Sequence, residues 1–148
     1  MFDVLKRTHL ALFFAFLCNT VAADSIGIYG LSFHRDDNSG KGYEEENWGL
    51  SYHSNLDCGP FIICSTQVGL YRNSYDDAAV WLGMEFDYPV IQNIFVGLDM
   101  RHWRTANNSY PDRLLNLYPK VKFKITDALD IAFRLGRSAT VMSLRINF

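Results

Sequence analysis

The chain has 148 residues, of which 20% are charged and 15% aromatic, and a formal net charge of −2. That length accommodates one modest domain, because a separate folded unit takes roughly 50 to 200 residues. The balanced charge lacks the basic clustering that a nucleic-acid partner requires, so no nucleic acid is expected.

The first segment reads as a secretory signal. Lys6 and Arg7 supply a basic start, residues 10–17 an apolar run, and Val21, Ala22 and Ala23 a small-residue cleavage site. Cleavage after Ala23 is expected, with 24–148 as the mature domain. The apolar run is well short of the roughly 20 residues that cross a bilayer as a helix, which argues against an uncleaved anchor. Cys18 is a poor lipidation site, since Leu17 stands where such sites carry a small residue. Cys58 and Cys64 then remain in an oxidising compartment. A disulfide closing a short loop and a pair of reduced thiols near a turn are both compatible with the sequence.

From Ile26 onward the pattern has a period of two, rich in aromatic and β-branched residues. It predicts strands over 26–35, 47–54, 61–72, 78–88, 93–103, 115–125, 129–135 and 139–148, separated by polar, glycine- or proline-containing breakers. The last strand alternates most clearly. Thr140, Met142, Leu144, Ile146 and Phe148 share one face, and Val141, Ser143, Arg145 and Asn147 the other. Lys120, Lys122 and Lys124 alternate with Val121, Phe123 and Ile125 in the same way, as do Asp99 and Arg101 with Leu98 and Met100.

Alternation alone suits a soluble β-sandwich as well as a membrane barrel. Three observations favour the barrel. Connections after the first and fifth strands are long and polar, while those after the second, fourth and sixth are mostly short. Trp48, Tyr52, Tyr71, Tyr75, Tyr88, Trp103 and Tyr118 fall near strand ends, where aromatic girdles meet the two membrane interfaces. The sequence also stops on Phe148 of the final strand. The expected fold is therefore all-β: an eight-stranded antiparallel up-and-down transmembrane β-barrel in the outer membrane of a Gram-negative bacterium; a monomer is favoured, though the sequence does not give the oligomeric state. Eight strands leave an interior for side chains or one slim ligand, which excludes a diffusion porin. Short turns at the periplasm put both termini there, so the first and third strands end outward.

At that outer rim, His34 shares a face with Gly30 and Ser32, opposite Leu31 and Phe33, and should point inward. Ser74 opens the second outer connection. A histidine that takes a hydroxyl proton is the minimum for acyl transfer by general-base catalysis. A polar rim residue and an ordinary turn residue fit the same spacing.

These segments resemble the lipid A palmitoyltransferase (PagP) family of small outer-membrane barrels. The resemblance lies in the inward His34 and in residues 43–49, Tyr-Glu-Glu-Glu-Asn-Trp-Gly. It continues in residues 69–75, Gly-Leu-Tyr-Arg-Asn-Ser-Tyr, and in the closing Arg145, Ile146, Asn147 and Phe148. It implies transfer of a palmitoyl chain from a phospholipid to lipid A, with His34 as base and Ser74 as the hydroxyl it activates or positions. Asn73 occupies the position of the family's aspartate, so the carboxylate that would orient the imidazole is absent there. The family's amphipathic helix ahead of the barrel has no counterpart either.

An acyl pocket should be apolar, yet the inward set includes Glu85, Asp87, Asp99, Arg101 and Lys122. Gly69, Gly83 and Gly97 on inward faces make room for a slim ligand or for bulky neighbours. Residues 53–55, His-Ser-Asn, faintly resemble the His-x-Ser-Asn element of a lipid A deacylase family, in an altered order. No histidine spacing suggests a metal site, and no cofactor is expected. The alternative to the acyltransferase is a non-catalytic barrel with a structural or surface-interaction role.

Overall fold

The computed structural model describes residues 25–34, 46–72, 78–105, 115–137 and 139–148. Among them are eight strands: β1 (Ser25–His34), β2 (Glu46–Asp57), β3 (Ile63–Arg72), β4 (Ala78–Ile91), β5 (Ile94–Thr105), β6 (Asn116–Thr126), β7 (Leu129–Leu135) and β8 (Ala139–Asn147). Each pairs antiparallel with the next, and β8 returns to β1, with Tyr29 opposite Ser143 and Ser25 opposite Asn147, so the sheet closes into a barrel. Closure leaves no strand edge, the condition for a sheet to sit in hydrocarbon, where an unpaired backbone group costs several kcal/mol.

The distribution of side chains decides between barrel and sandwich. Leu50, Leu70, Val80, Leu117 and Ile146 are exposed on the outer wall, whereas Glu85, Asp99, Arg101, Lys120, Arg134 and Arg145 are buried inside it. A water-soluble sandwich buries the opposite set. The outer wall is therefore lipid-facing, and the chain is a transmembrane β-barrel of the outer membrane.

The strand reading holds, with two boundaries moved by three residues. β2 runs on to Asp57, because Asn55 and Leu56 still pair with Ser65 and Cys64. Residues 89–92 are not a connection: Pro89 pairs with Phe95 beside a register shift, and the turn contracts to Gln92 and Asn93. A proline is tolerated in a strand at such an irregularity. Cys58 and Cys64 form a disulfide with a Cα–Cα distance of 5.9 Å, bracing the β2–β3 connection. The expected signal at 1–23 lies outside the described residues.

Candidate functional site

The middle of the lumen holds a continuous ion network. Asp99 on β5, with no solvent exposure, accepts from Arg101 Nε at 2.9 and 3.0 Å and from Arg101 Nη2 at 2.6 Å. It also accepts from Arg134 Nε and, at 2.5 Å, from Gln67 Nε2. Arg134 crosses to Glu85 through Nη2 at 2.5 Å and donates Nη1 to Ser143 Oγ at 2.5 Å. Glu85 further holds Arg145 and Lys120, and Lys120 and Lys122 both reach Asp87 at 2.7 Å. Partners come from β3, β4, β5, β6, β7 and β8, so the network ties distant walls together. Buried charges persist only when paired and hydrogen-bonded in this way.

Above the network stands an aromatic layer. Trp81 packs edge-on against Tyr29 (5.1 Å) and Tyr71 (5.5 Å) and tilts against Trp103 (5.4 Å), while Trp103 meets Tyr118 at 6.4 Å. The Arg101 guanidinium lies under this layer, 4.7 Å from the Trp81 ring and 5.2 Å from that of Tyr29, and donates to the Tyr29 hydroxyl at 2.7 Å. Cation–π contacts of this kind strengthen on desolvation. Tyr71, Trp103 and Tyr118 thus belong to the lumen and not to the interfacial girdles the sequence suggested. They share their faces with Gly69, Arg101 and Lys120, whereas Trp48 and Tyr88 are exposed.

Gly69 shows where the glycine room went. A Cβ there would run into the Trp81 indole, so the space is filled by a bulky neighbour. A Cβ at Gly83 or Gly97 would instead meet the backbone carbonyl of Met100 or Phe86, so those two glycines serve close strand approach.

His34, the candidate base, ends β1 on the inward face, at the end of the barrel that the loop-length reading assigns to the outside. Its Nε2 lies 3.2 Å from Ser32 Oγ, which also accepts from Asn47 Nδ2. With the Asn47 amide donating to it, the Ser32 hydroxyl has its own proton free to point at the imidazole. Ser74 and Asn73 lie outside the described residues.

A second histidine–hydroxyl pair, missed in the sequence, lies deeper. Ser51 Oγ is 2.7 Å from His53 Nε2, and Glu85 Oε2 is 3.6 Å from His53 Nδ1, which has the outline of a Ser-His-Glu triad. The hydrogen bonds give it another role. Arg145 Nη2 lies 3.1 Å from Nδ1, and a guanidinium only donates. Nδ1 must accept, so Nε2 carries the proton and donates to Ser51 Oγ, the reverse of what a general base needs. With Ser51 and His53 both buried, the trio is a structural link in the network. His53 lies inside β2, and its parity with Ser51 and Gly49 was the signal that it faces the lumen. Among the described residues, no three His, Cys, Asp or Glu side chains converge as a metal site.

A closed, lipid-facing cylinder with a charged lumen and an aromatic layer above it defines the class as an eight-stranded transmembrane β-barrel. Of the solved structures compared, a designed one supports the fold. A de novo designed transmembrane β-barrel matches with a TM-score of 0.55 at 7% identity over 85% of this chain and 95% of the designed one. The outer membrane protein Ail of Yersinia pestis matches in a phospholipid nanodisc with a TM-score of 0.45 at 8% identity, over 86% of this chain and 100% of Ail. Its crystal structure matches with a TM-score of 0.44 at 9% identity, over 84% and 93%. No family model and no curated protein matches the chain.

Proposed function

We propose that this protein is a non-conducting outer-membrane barrel that serves as a rigid platform for its outer-side connections, with a structural or surface-interaction role. The observation that carries this reading is the filled lumen, where the Asp99–Arg134–Glu85 network and the layer around Trp81 occupy the volume a pore or an acyl chain would need. Two measurements test it. The refolded full chain in a planar bilayer should give no stable ohmic conductance, and an open channel would refute the platform. Replacing 35–45 and 106–114 by short Gly-Ser turns should leave the barrel folded and reproduce the surface phenotype of a deletion strain. Survival of wild-type behaviour after that swap would equally refute it.

A second reading is supported by the placement of His34 on the inward outer rim beside a hydroxyl. In it the protein is a PagP-like acyltransferase that moves a palmitoyl chain from a phospholipid to lipid A, with His34 as base, Ser74 as its hydroxyl partner and Asn73 in the place of the family's aspartate. Mass spectrometry of lipid A from cells with and without the protein tests it. An added acyl chain that vanishes in His34→Ala and Ser74→Ala supports the enzyme, and Asn73→Asp should raise the yield. Unchanged lipid A removes it.

A further inference from the structure

The lipid-facing wall is almost free of charge, and the exceptions are not scattered. Among the described strand residues that face outward, the charged ones are Glu46 on β2, Arg72 on β3 and Arg104 on β5, all exposed and all at the outer end. His102, also exposed, joins Arg104 on β5. A charged side chain facing lipid costs about 2–4 kcal/mol at the bilayer midplane and about 0–1 kcal/mol near an interface, so this row marks the level of the outer headgroups. Trp48, exposed on β2 and one residue beyond the Gly49–Tyr71 pair, stands at the level of Arg72, as an interfacial aromatic does.

The register brings the basic groups onto one patch. Leu70, Val80 and Arg104 lie in one row across β3, β4 and β5, with Val68, Leu82 and His102 in the row beneath; Arg72, opposite Ala78, lies in the row above. At about 4.8 Å between strands, Arg72 and Arg104 sit within reach of one anionic group between them. Leu70 and Val80, in the row of Arg104 and beneath Arg72, and Leu82, in the row of His102, are among the exposed apolar residues. The patch thus sets basic groups beside exposed apolar ones at the membrane edge.

We propose that the outer rim of β3–β5 docks a phosphorylated glycolipid of the outer leaflet, with Arg72, His102 and Arg104 on its phosphate and Leu70, Val80 and Leu82 against its acyl chain. Guanidinium groups match phosphate oxygens with paired, charge-assisted hydrogen bonds, and the low dielectric at the membrane edge strengthens them. This site lies on the outer wall, separate from the lumen and from His34, and it stands whether or not the protein is an enzyme.

The test is native mass spectrometry of the detergent-folded full chain titrated with bisphosphorylated lipid A, its fully dephosphorylated form, and phosphatidylglycerol. The wild type should retain the bisphosphorylated lipid about tenfold more tightly than either of the others, the scale of a lost charge-assisted contact. Arg72→Gln/Arg104→Gln should lose that preference while keeping the heat-modifiable mobility of a folded barrel, and Arg72→Lys/Arg104→Lys should keep most of it. Equal retention of the dephosphorylated lipid overturns the proposal. So does equal retention of phosphatidylglycerol, or an Arg72→Gln/Arg104→Gln protein that binds like the wild type.

Discussion

Asp99→Asn is the most informative single change in the lumen. Asp99 receives three contacts from Arg101, one from Arg134 and one from Gln67. Among the described residues the buried set holds five cations, Arg101, Lys120, Lys122, Arg134 and Arg145, against four carboxylates, Glu85, Asp87, Asp99 and Asp130. The substitution leaves three carboxylates for five cations. Arg134 keeps Glu85, but Arg101 loses its one ion-pair partner and stays buried beneath Trp81. Removing one member of a buried pair costs about 3–5 kcal/mol, mostly through the uncompensated charge that remains. The expected loss is about 4 kcal/mol, which at a urea slope of about 2 kcal/mol/M moves the midpoint down by about 2 M. Equilibrium unfolding in lipid vesicles, followed by tryptophan fluorescence, reads it. Arg101→Met and the double variant complete a cycle, in which the double should fall short of the sum by at least about 1 kcal/mol. A shift under about 0.5 M for Asp99→Asn, or additive singles, would refute the claim that this network holds the lumen together.

Other outcomes follow from the packing. Gly69→Ala pushes a methyl into the Trp81 indole and should cost about 1–3 kcal/mol by the same vesicle assay, with partial recovery when Trp81→Phe is added. Reduction of Cys58–Cys64, or Cys58→Ala/Cys64→Ala, should lower stability by about 2 kcal/mol, the scale for so short a loop. Val121→Arg, facing lipid in mid-strand of β6, should cost about 2–4 kcal/mol, and Leu135→Arg at the outer end of β7 about 0–1 kcal/mol. Equal costs for those two arginines would remove the depth assignment.

Sequence patterning made the strands legible because each wall residue answers to only two environments, lipid or lumen. β7 was delimited to the residue, and Glu85, Asp87, Asp99, Arg101 and Lys122, read as facing inward, are all buried. Breaker residues misled where a local rule met the ladder. Asn55 and Pro89 carry turn preferences, yet both keep their pairing, Pro89 next to a bulge. The aromatic layer was misassigned because proximity to a strand end suggested a girdle, while parity along the strand, Tyr71 with Gly69 and Gln67, already placed it inside. The partners within the network were not legible. That Arg134, Arg145 and Lys120 all converge on Glu85 depends on how far each strand is staggered around the cylinder, and no local pattern encodes that. Of the candidate site, His34 was placed correctly on its face, but the hydroxyl found beside it, that of Ser32, came from the same strand. The trio of Ser51, His53 and Glu85 joins two strands that do not adjoin, β2 and β4, so spacing along the chain gave no sign of it.

The central claim is that apolar side chains clothe the outside of a closed cylinder whose polar side chains line the inside. Single cysteines at 140 through 146, spin-labelled in the lipid-reconstituted, disulfide-intact chain, test it directly by comparing collisions with oxygen and with a water-soluble nickel complex. The account predicts oxygen-accessible, nickel-protected labels at 140, 142, 144 and 146, and the loss of that signature at 141, 143 and 145. Labels that show no period of two, or even-numbered positions open to the aqueous complex, would contradict it.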